Sequence, residues 1–295
     1  MQTKIIYFDN SFIKDNDGIL ILDKKDSYTE NFGKQWRDYR DIQIDSLNNF
    51  DVSRNYLNDM FFNKPERIEN KKILEIGSGA GRFTEHLIKK AKICVSVDLS
   101  SSIFYNVSKN KENLILIKAD FNKLIIKEKF DIVFCRGVLQ HTPNPFESIL
   151  NIHSFVKDGG EVFFDIYKMP KIGYLHPKYF LWRPLIKKFI KYETFEKFLH
   201  KNIILLLFLK KIIKIITFKS NFISDSIIPL WDYTGMINID KNKLKLWSIM
   251  DTLDGIYAKY DFPQRTNKII SFLKKNNFKI VNINRKKNIF NTKTN

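Results

Sequence analysis

The stretch ILEIGSGAGRF, residues 73–83, places three glycines, Gly77, Gly79 and Gly81, within five positions directly after a short apolar run. The whole chain of 295 residues holds only 11 glycines, so this cluster is a local feature. A short apolar run followed by glycines is the pattern of a buried strand opening into a tight loop. Such a loop lets backbone approach a ligand closely. A pyrophosphate cradle of the dinucleotide type spaces its glycines G-x-G-x-x-G, so that the third lets helix and strand pack closely. Here the spacing is G-x-G-x-G and Arg82 occupies the critical place. The loop therefore points away from a phosphate ligand, and Glu75 precedes it by two residues.

Outward from the loop the pattern alternates. Residues 71–79 read as a strand, 81–91 as a helix, and 92–100 as a second strand ending in Asp98. A helical stretch runs to about Lys111, and 113–121 is a third strand ending in Asp120. Residues 130–138 are a fourth strand, 146–160 a helix stopped by Gly159 and Gly160, and 161–167 a fifth strand. This rhythm predicts an α/β fold, a parallel sheet with crossover helices on both faces. Upstream, residues 1–30 are polar with one apolar run, GILIL (18–22), readable as a short strand. The segment 32–46 reads as a helix carrying Phe32, Trp36, Tyr39 and Gln43 at spacings of four, three and four. Past Met169 the alternation stops and aromatic-rich helical sequence follows, until helix and strand resume over 263–286. The tail, NIFNTKTN (288–295), reads as too short and polar for a seventh strand. The expected division is an N-terminal extension with covering helices (1–69), a core (70–167), a helical, basic and aromatic lid inserted after strand five (168–262), and a C-terminal return to the sheet (263–295).

With 44% hydrophobic and 14% aromatic residues the chain has ample material for a packed core, which excludes wholesale disorder. A formal charge of +18 would ordinarily indicate a polyanionic partner. Lys, Asn, Ile and Phe are enriched together, however, as an AT-rich genome would produce, and this composition weakens the case for nucleic acid. Cys94 and Cys135 lie in separate apolar runs, which predicts buried thiols in a reducing compartment. The first residues, MQTKIIYFDNSF, show no basic start followed by a long apolar core, so no secretory leader is expected and a cytoplasmic location is. The longest apolar run of the insertion, Ile203–Leu209, is far short of the ~20 residues of a membrane span.

Glycines after the first strand, with acids Asp98 and Asp120 closing the next two, form a constellation that resembles the class I S-adenosylmethionine-dependent methyltransferases. The segment FDIVFCRGVLQHTPNPFESIL (130–150) resembles the UbiE-like, type 11 branch, where H-T-P-[DN]-P follows strand four. VKDGGEVFF (156–164) is similar to that family's Gly pair before strand five. FGKQWRDYRDIQIDS, LWDYTG (230–235) and DTLDGIYAKYDFPQ (251–264) resemble a bacterial subgroup of methyltransferases without an assigned substrate. The resemblance implies a doubly wound, mostly parallel Rossmann-like sheet. It implies S-adenosylmethionine as cofactor, S-adenosylhomocysteine as product, and no metal. Asp98 would hold the ribose hydroxyls, and Asp120 with the backbone of Phe121 would read the adenine edge. Gly77, Ser78, Gly79, Gly81, Arg82 and Phe83 would surround the amino-acid end, with Glu75 supporting the loop or meeting the ammonium through water. Leu99, Arg136 and Gly137 complete the implied cofactor set.

Methyl transfer is an in-line displacement at an activated carbon, so positioning and water exclusion carry much of the catalysis. A base is needed where the acceptor must lose a proton. His141, just beyond strand four, is the candidate base. The residues equally allow H-T-P-N-P to be a loop in which His141 and Asn144 bond to backbone. Trp36, Asp232, Tyr233 and Tyr260 are candidate acceptor contacts, with Asp254 and Asp261 nearby in sequence and Tyr39 beside Trp36. Each also reads as a cap, a turn former or core. The segment 183–220 holds ten Lys or Arg and two Glu. Lys210, Lys211 and Lys214 share one side of a helix that is otherwise apolar over 203–218. One reading is an interfacial helix touching an anionic leaflet to reach a lipid-linked acceptor. The other is a lid helix with a lysine stripe facing solvent. The leading function is methylation of a small-molecule or lipid-linked acceptor by oxygen, nitrogen or carbon attack. RNA methylation and a non-catalytic cofactor-binding scaffold are the alternatives. No N-P-P-[YF] motif follows strand four, which disfavours base amino-methylation.

Overall fold

The computed structural model describes residues 2–218, 220–237 and 239–294. In chain order the strands and α-helices are β1 (Gln2–Ile5), β2 (Phe8–Lys14), β3 (Leu20–Ile21), α1 (Glu30–Asp38), α2 (Val52–Met60), β4 (Lys72–Ile76), α3 (Thr84–Leu87), β5 (Ile93–Asp98), β6 (Leu114–Lys118) and β7 (Phe130–Cys135). There follow α4 (Pro145–Ser154), β8 (Val156–Asp165), α5 (Arg183–Phe189), α6 (Tyr192–Ile216), α7 (Asn221–Ile227), α8 (Lys241–Tyr257), α9 (Thr266–Lys275), β9 (Lys279–Asn284) and β10 (Ile289–Lys293).

The described strands form one sheet in the order β1-β2-β3-β6-β5-β4-β7-β8-β10-β9. From β3 to β8 all neighbours run parallel, and β10 lies antiparallel between β8 and β9. Strand order reverses between β4 and β7, and ligands of open parallel sheets bind beyond the strand ends at such a reversal. Alternate residues of the central strands face opposite sides, and both sides are buried. Leu74, Ile76, Val95, Val97, Val133 and Phe164 pack on one side beneath α4 and α9. Ile73, Cys94, Ile132, Phe134 and Phe163 pack on the other beneath α2 and α3. This two-sided burial explains why the strands read as continuous apolar runs. Cys94 and Cys135 are free and buried, and burial pushes both thiols up.

Several sequence expectations need correction, among them the helix expected to about Lys111, where only a 3-10 turn over Ser101–Tyr105 forms. The tail does form a strand. Ile289 to Thr292 are buried in β10, because the asparagine and threonine side chains find partners, Glu161 for Asn291 and His153 for Thr292. Helix α4 ends at Ser154, and the Gly159–Gly160 pair lies inside β8. Val156 pairs with Phe130 and pairing resumes only at Glu161 with Ile132, so the glycines occupy a bulge and do not stop a helix. The polar N-terminus also hides a β1–β2 hairpin that extends the sheet and buries Tyr7, Phe8 and Phe12. The segment 32–46 is helical only to Asp38 and continues in short 3-10 turns.

Two compact units emerge: residues 1–40, 44–168 and 259–295 make the first, and 41–43 with 169–258 the second. In the second, Tyr192 and Phe195 of α6 pack their rings on Tyr257 of α8 at 5.3 and 6.0 Å. Arg183 donates to the carbonyls of Gly255 and Ala258 at the end of α8. Lys210 is buried, ion-paired with Asp225 at 2.7 Å and donating to the Leu230 carbonyl. Lys214 pairs with Asp232 at 3.1 Å. A lysine stripe facing solvent is therefore not what these residues form; two of the three point inward because acids of the following segment neutralise them.

Phe290 of β10 is fully buried and stacks on Phe164 at 5.1 Å. Phe290→Ala is expected to cost ~3–5 kcal/mol, read from the urea midpoint of the intact chain. A cost below ~1 kcal/mol would show that the last strand is not integral to the sheet.

Candidate active site

The site is built at the C-terminal ends of β4, β5, β6 and β7. Glu75 is the penultimate residue of β4 and is fully buried. Its Oε2 accepts the hydroxyls of Thr84 and Ser96, each at 2.6 Å. Its Oε1 is buried with no hydrogen-bond partner among the described residues. Burial pushes the Glu75 carboxyl up to about 7 against the pull of the two hydroxyls, and the nearby Asp98 charge adds to the rise. Above Glu75, Gly77 adopts φ +74°, and a Cβ there would stand 2.0 Å from Val138. Gly81 has φ +94°, and a Cβ would stand 2.4 Å from the Asn106 side chain. These two glycines are thus required by the protein's own packing. Gly79 lies beneath the indole of Trp36, whose ring atoms begin 3.3 Å from where a Cβ would be. Ser78 Oγ is buried and has no partner among the described residues.

Asp98 ends β5. Its Oδ2 accepts the Gly79 N–H at 2.7 Å, and its Oδ1 accepts the N–H and hydroxyl of Ser100 at 2.8 and 2.6 Å. Burial raises its carboxyl, and these three donors oppose the rise. A carboxylate offers about four acceptor positions, so three are already taken. Asp120 follows β6, and its Oδ1 caps the next turn through the Asn122 N–H at 3.0 Å. Phe121 and Leu99 are buried, and the Leu99 carbonyl accepts from Lys118 at 3.0 Å.

Beyond β7, the Gly137 N–H donates to Asp165 Oδ1 at 2.6 Å, and Arg136 Nε lies 3.9 Å from the same carboxylate. Arg136 and Arg82 both lie against the rings of Tyr56 and Phe83. The Phe83 ring is buried against Phe134 at 5.7 Å, so its side chain serves the core. His141 is buried, and its Nδ1 sits 2.9 Å from the Tyr260 carbonyl. A carbonyl only accepts, so Nδ1 carries the proton and Nε2 is the basic nitrogen. Phe32 and Tyr167 flank the imidazole at 4.9 and 5.4 Å. Tyr260 in turn meets the ring of Tyr28 at 5.5 Å.

Sequence reasoning missed Tyr28, Asp23, Tyr56 and Asp165. Burial holds the Tyr28 phenol protonated, and the charges of Asp120 and Asp98 reinforce this. Asp23 Oδ2 accepts the Asp120 N–H at 2.9 Å and fixes the third strand end. Neither sits in a periodic segment that would mark it, whereas Asp165, closing the fifth strand, repeats the pattern of Asp98 and was legible. Asp232 and Tyr233 have partners within the second unit: Asp232 accepts the Thr234 N–H and pairs with Lys214, and Tyr233 donates to Asp251. Tyr39 is buried. Ligand atoms of Asp45, Glu85 and His86 come within 4.8 Å of one another. Both carboxylates already accept backbone N–H groups, from Ser53 and Arg54 for Asp45 and from Asp45 itself for Glu85. With His86 between them they form a buried ion-paired latch holding residues 45–54.

Residues 74–164 match the family model described as a methyltransferase domain. Over these residues the chain is similar to a methyltransferase domain. The ubiquinone biosynthesis O-methyltransferase of Coxiella burnetii is 30% identical over 115 residues, covering 37% of this chain and 49% of that one. The protein of the same name from Hydrogenovibrio crunogenus is 34% identical over 110 residues, covering 35% and 46%. The chain thus spans about half the length of these relatives. A solved structure, the magnesium protoporphyrin IX methyltransferase of Synechocystis, aligns over 91% of this chain and 97% of its own, with 13% identity and a TM-score of 0.48. The matched residues run from within β4 to within β8 and include the ends of β4, β5, β6 and β7.

The residues fit S-adenosylmethionine. An orphaned carboxylate oxygen beneath the loop suits an ammonium, and Asp98 retains an acceptor position for a hydroxyl. A cation brought to Glu75 favours its ionised form and releases a proton. Binding of S-adenosylhomocysteine, which keeps the ammonium, is therefore expected to tighten as pH rises from about 6 to 8. Calorimetry in buffers of different ionisation heat should show proton release near pH 7, and Glu75→Gln should abolish both effects. Unchanged pH dependence in that variant would show that Glu75 does not face the ligand.

Proposed function

We propose that the chain is an S-adenosylmethionine-dependent methyltransferase acting on a small-molecule acceptor, free or lipid-linked. The observation that carries this reading is the set at three consecutive strand ends: buried Glu75 with its unpartnered oxygen, Asp98 locked to the Gly79 N–H, and Asp120 capping the turn after β6. The relatives named as ubiquinone biosynthesis O-methyltransferases support a small-molecule acceptor. When bound, the cofactor supplies a sulfonium-activated methyl carbon. Glu75 holds the ammonium end and Asp98 takes a ribose hydroxyl; a grip on both hydroxyls requires the Ser100 hydroxyl to turn away from Oδ1. Asp120 and the Phe121 backbone hold the adenine edge. Trp36 covers the glycine loop, and the rings of Phe32, Tyr167, Tyr28 and Tyr260 exclude water around His141. The Tyr260 carbonyl fixes the His141 tautomer, so Nε2 is the atom that takes the acceptor's proton.

Asp98→Ala is expected to weaken S-adenosylhomocysteine binding about tenfold to a hundredfold, the loss of charged hydrogen bonds. Preference for NAD over S-adenosylhomocysteine in calorimetry would overturn the reading. Incubation with methyl-labelled cofactor and cell extract, followed by sorting of labelled lipid, RNA and small molecules, identifies the acceptor class. His141→Ala should abolish labelling while leaving S-adenosylhomocysteine affinity and thermal stability near wild type. If it unfolds the protein, His141 serves the loop and not the chemistry.

A further inference from the structure

The long helix α6 has its amphipathic character reversed over its second half. At about 100° per residue, Ile204, Phe208 and Ile215 fall within ~40° of one another, and Ile216 lies within ~120° of Ile204. All four are exposed, and Ile204, Ile215 and Ile216 are each at least 67% accessible. Two of the three cations of this half point the other way: Lys210 is buried on Asp225 and Lys214 pairs with Asp232. At the α6–α7 turn Phe218 is held in the left-handed region at φ +50° and is 97% exposed, and Phe222 of α7 is exposed beside it in sequence. A left-handed bulky residue is uncommon and costly, and here it projects an aromatic ring outward. In the first half of α6 the same exposed arc carries Lys197 and Lys201, preceded by Glu193 in the first turn, and Lys211 adds a third cation between Phe208 and Ile215. No acidic residue occurs between 197 and 224.

We propose that the exposed face of α6, with Phe218 and Phe222, docks on an anionic lipid bilayer, the apolar second half entering the interface and Lys197 and Lys201 meeting lipid phosphates. Charge complementarity selects this occupant. An anionic surface neutralises Lys197, Lys201 and Lys211 together, whereas a second copy would present the same face with Glu193 as its one exposed acid to three lysines. The helix lies along the membrane and does not cross it: no described helix is long and apolar enough to span. The surface belongs to the second unit and its lipid binding is independent of the methyltransferase reading.

The test is flotation of the full chain with vesicles of phosphatidylcholine alone or mixed with phosphatidylglycerol. Binding is expected with the mixed vesicles only, weakening but persisting as salt is raised. The double variant Phe208→Glu and Ile215→Glu should lose at least about tenfold in partition, and Lys197→Glu with Lys201→Glu should remove the preference for anionic lipid. Circular dichroism and S-adenosylhomocysteine calorimetry on the same variants should be unchanged, which separates failure of this surface from failure of the cofactor site. Binding unaffected by the apolar substitutions would overturn the proposal by showing only non-specific attraction of a basic protein. A dimer in light scattering that Phe208→Glu and Ile215→Glu converts to monomer would overturn it in favour of self-association.

Discussion

The buried carboxyl of Glu75 is the constraint on which the site depends. It lies beneath the glycine loop and receives hydroxyl donors from Thr84 of α3 and Ser96 of β5, so it ties the loop's two neighbours to β4. An acid raised from 4.5 to about 7 is a group that folding prefers protonated. Its stability contribution is complete at low pH and is lost as pH rises through that value, so the ionised form costs about 3 kcal/mol. A protein would gain stability by discarding such a group. Keeping it makes sense where a cation completes the set, because the same burial that penalises a lone carboxylate strengthens its attraction for an ammonium.

Asp98 extends the same logic one strand along. Its bond to the Gly79 N–H joins the end of β5 to the loop after β4, and the Gly77 N–H is held by the Val97 carbonyl at 2.7 Å. The loop is thereby fixed before any ligand arrives. Preorganisation of this kind places the ordering cost in the fold and not in the binding step. It also explains why Gly77 and Gly81 are glycines: the loop is pressed against Val138 and Asn106, side chains of other segments.

The sheet's centre was legible because parallel strands buried on both faces leave continuous apolar runs, and strand-end acids mark where each run stops. The margins were not. β10 carries Asn291 and Thr292 at positions that a sequence reading scores as solvent-exposed, and only the partners Glu161 and His153 make them interior. The β1–β2 hairpin is buried through Tyr7, Phe8 and Phe12, whose spacing is too irregular to declare a strand pair. In the site, glycines and acids were readable as types in register, yet Tyr28 was not, because its role comes from where β3 delivers the chain and not from any local pattern.

The lysine content shows why residue counts mislead about partners. Lys118 is almost wholly buried, ion-paired to Asp26 at 2.9 Å and donating to the Leu99 carbonyl. Lys210 is equally buried in the second unit. Both are structural cations, and their long stems fill space that another sequence would give to Met or Leu. A formal charge of +18 therefore does not translate into an equal outward field. What reaches the surface of α6 is biased: Lys197 and Lys201 lie in its first half, and mostly apolar side chains, with Lys211 among them, in its second. Composition alone, biased toward Lys, Ile and Phe together, would scatter these types. The mainly apolar second half of that surface is a property of the fold, and it depends on Asp225 and Asp232 drawing Lys210 and Lys214 inward.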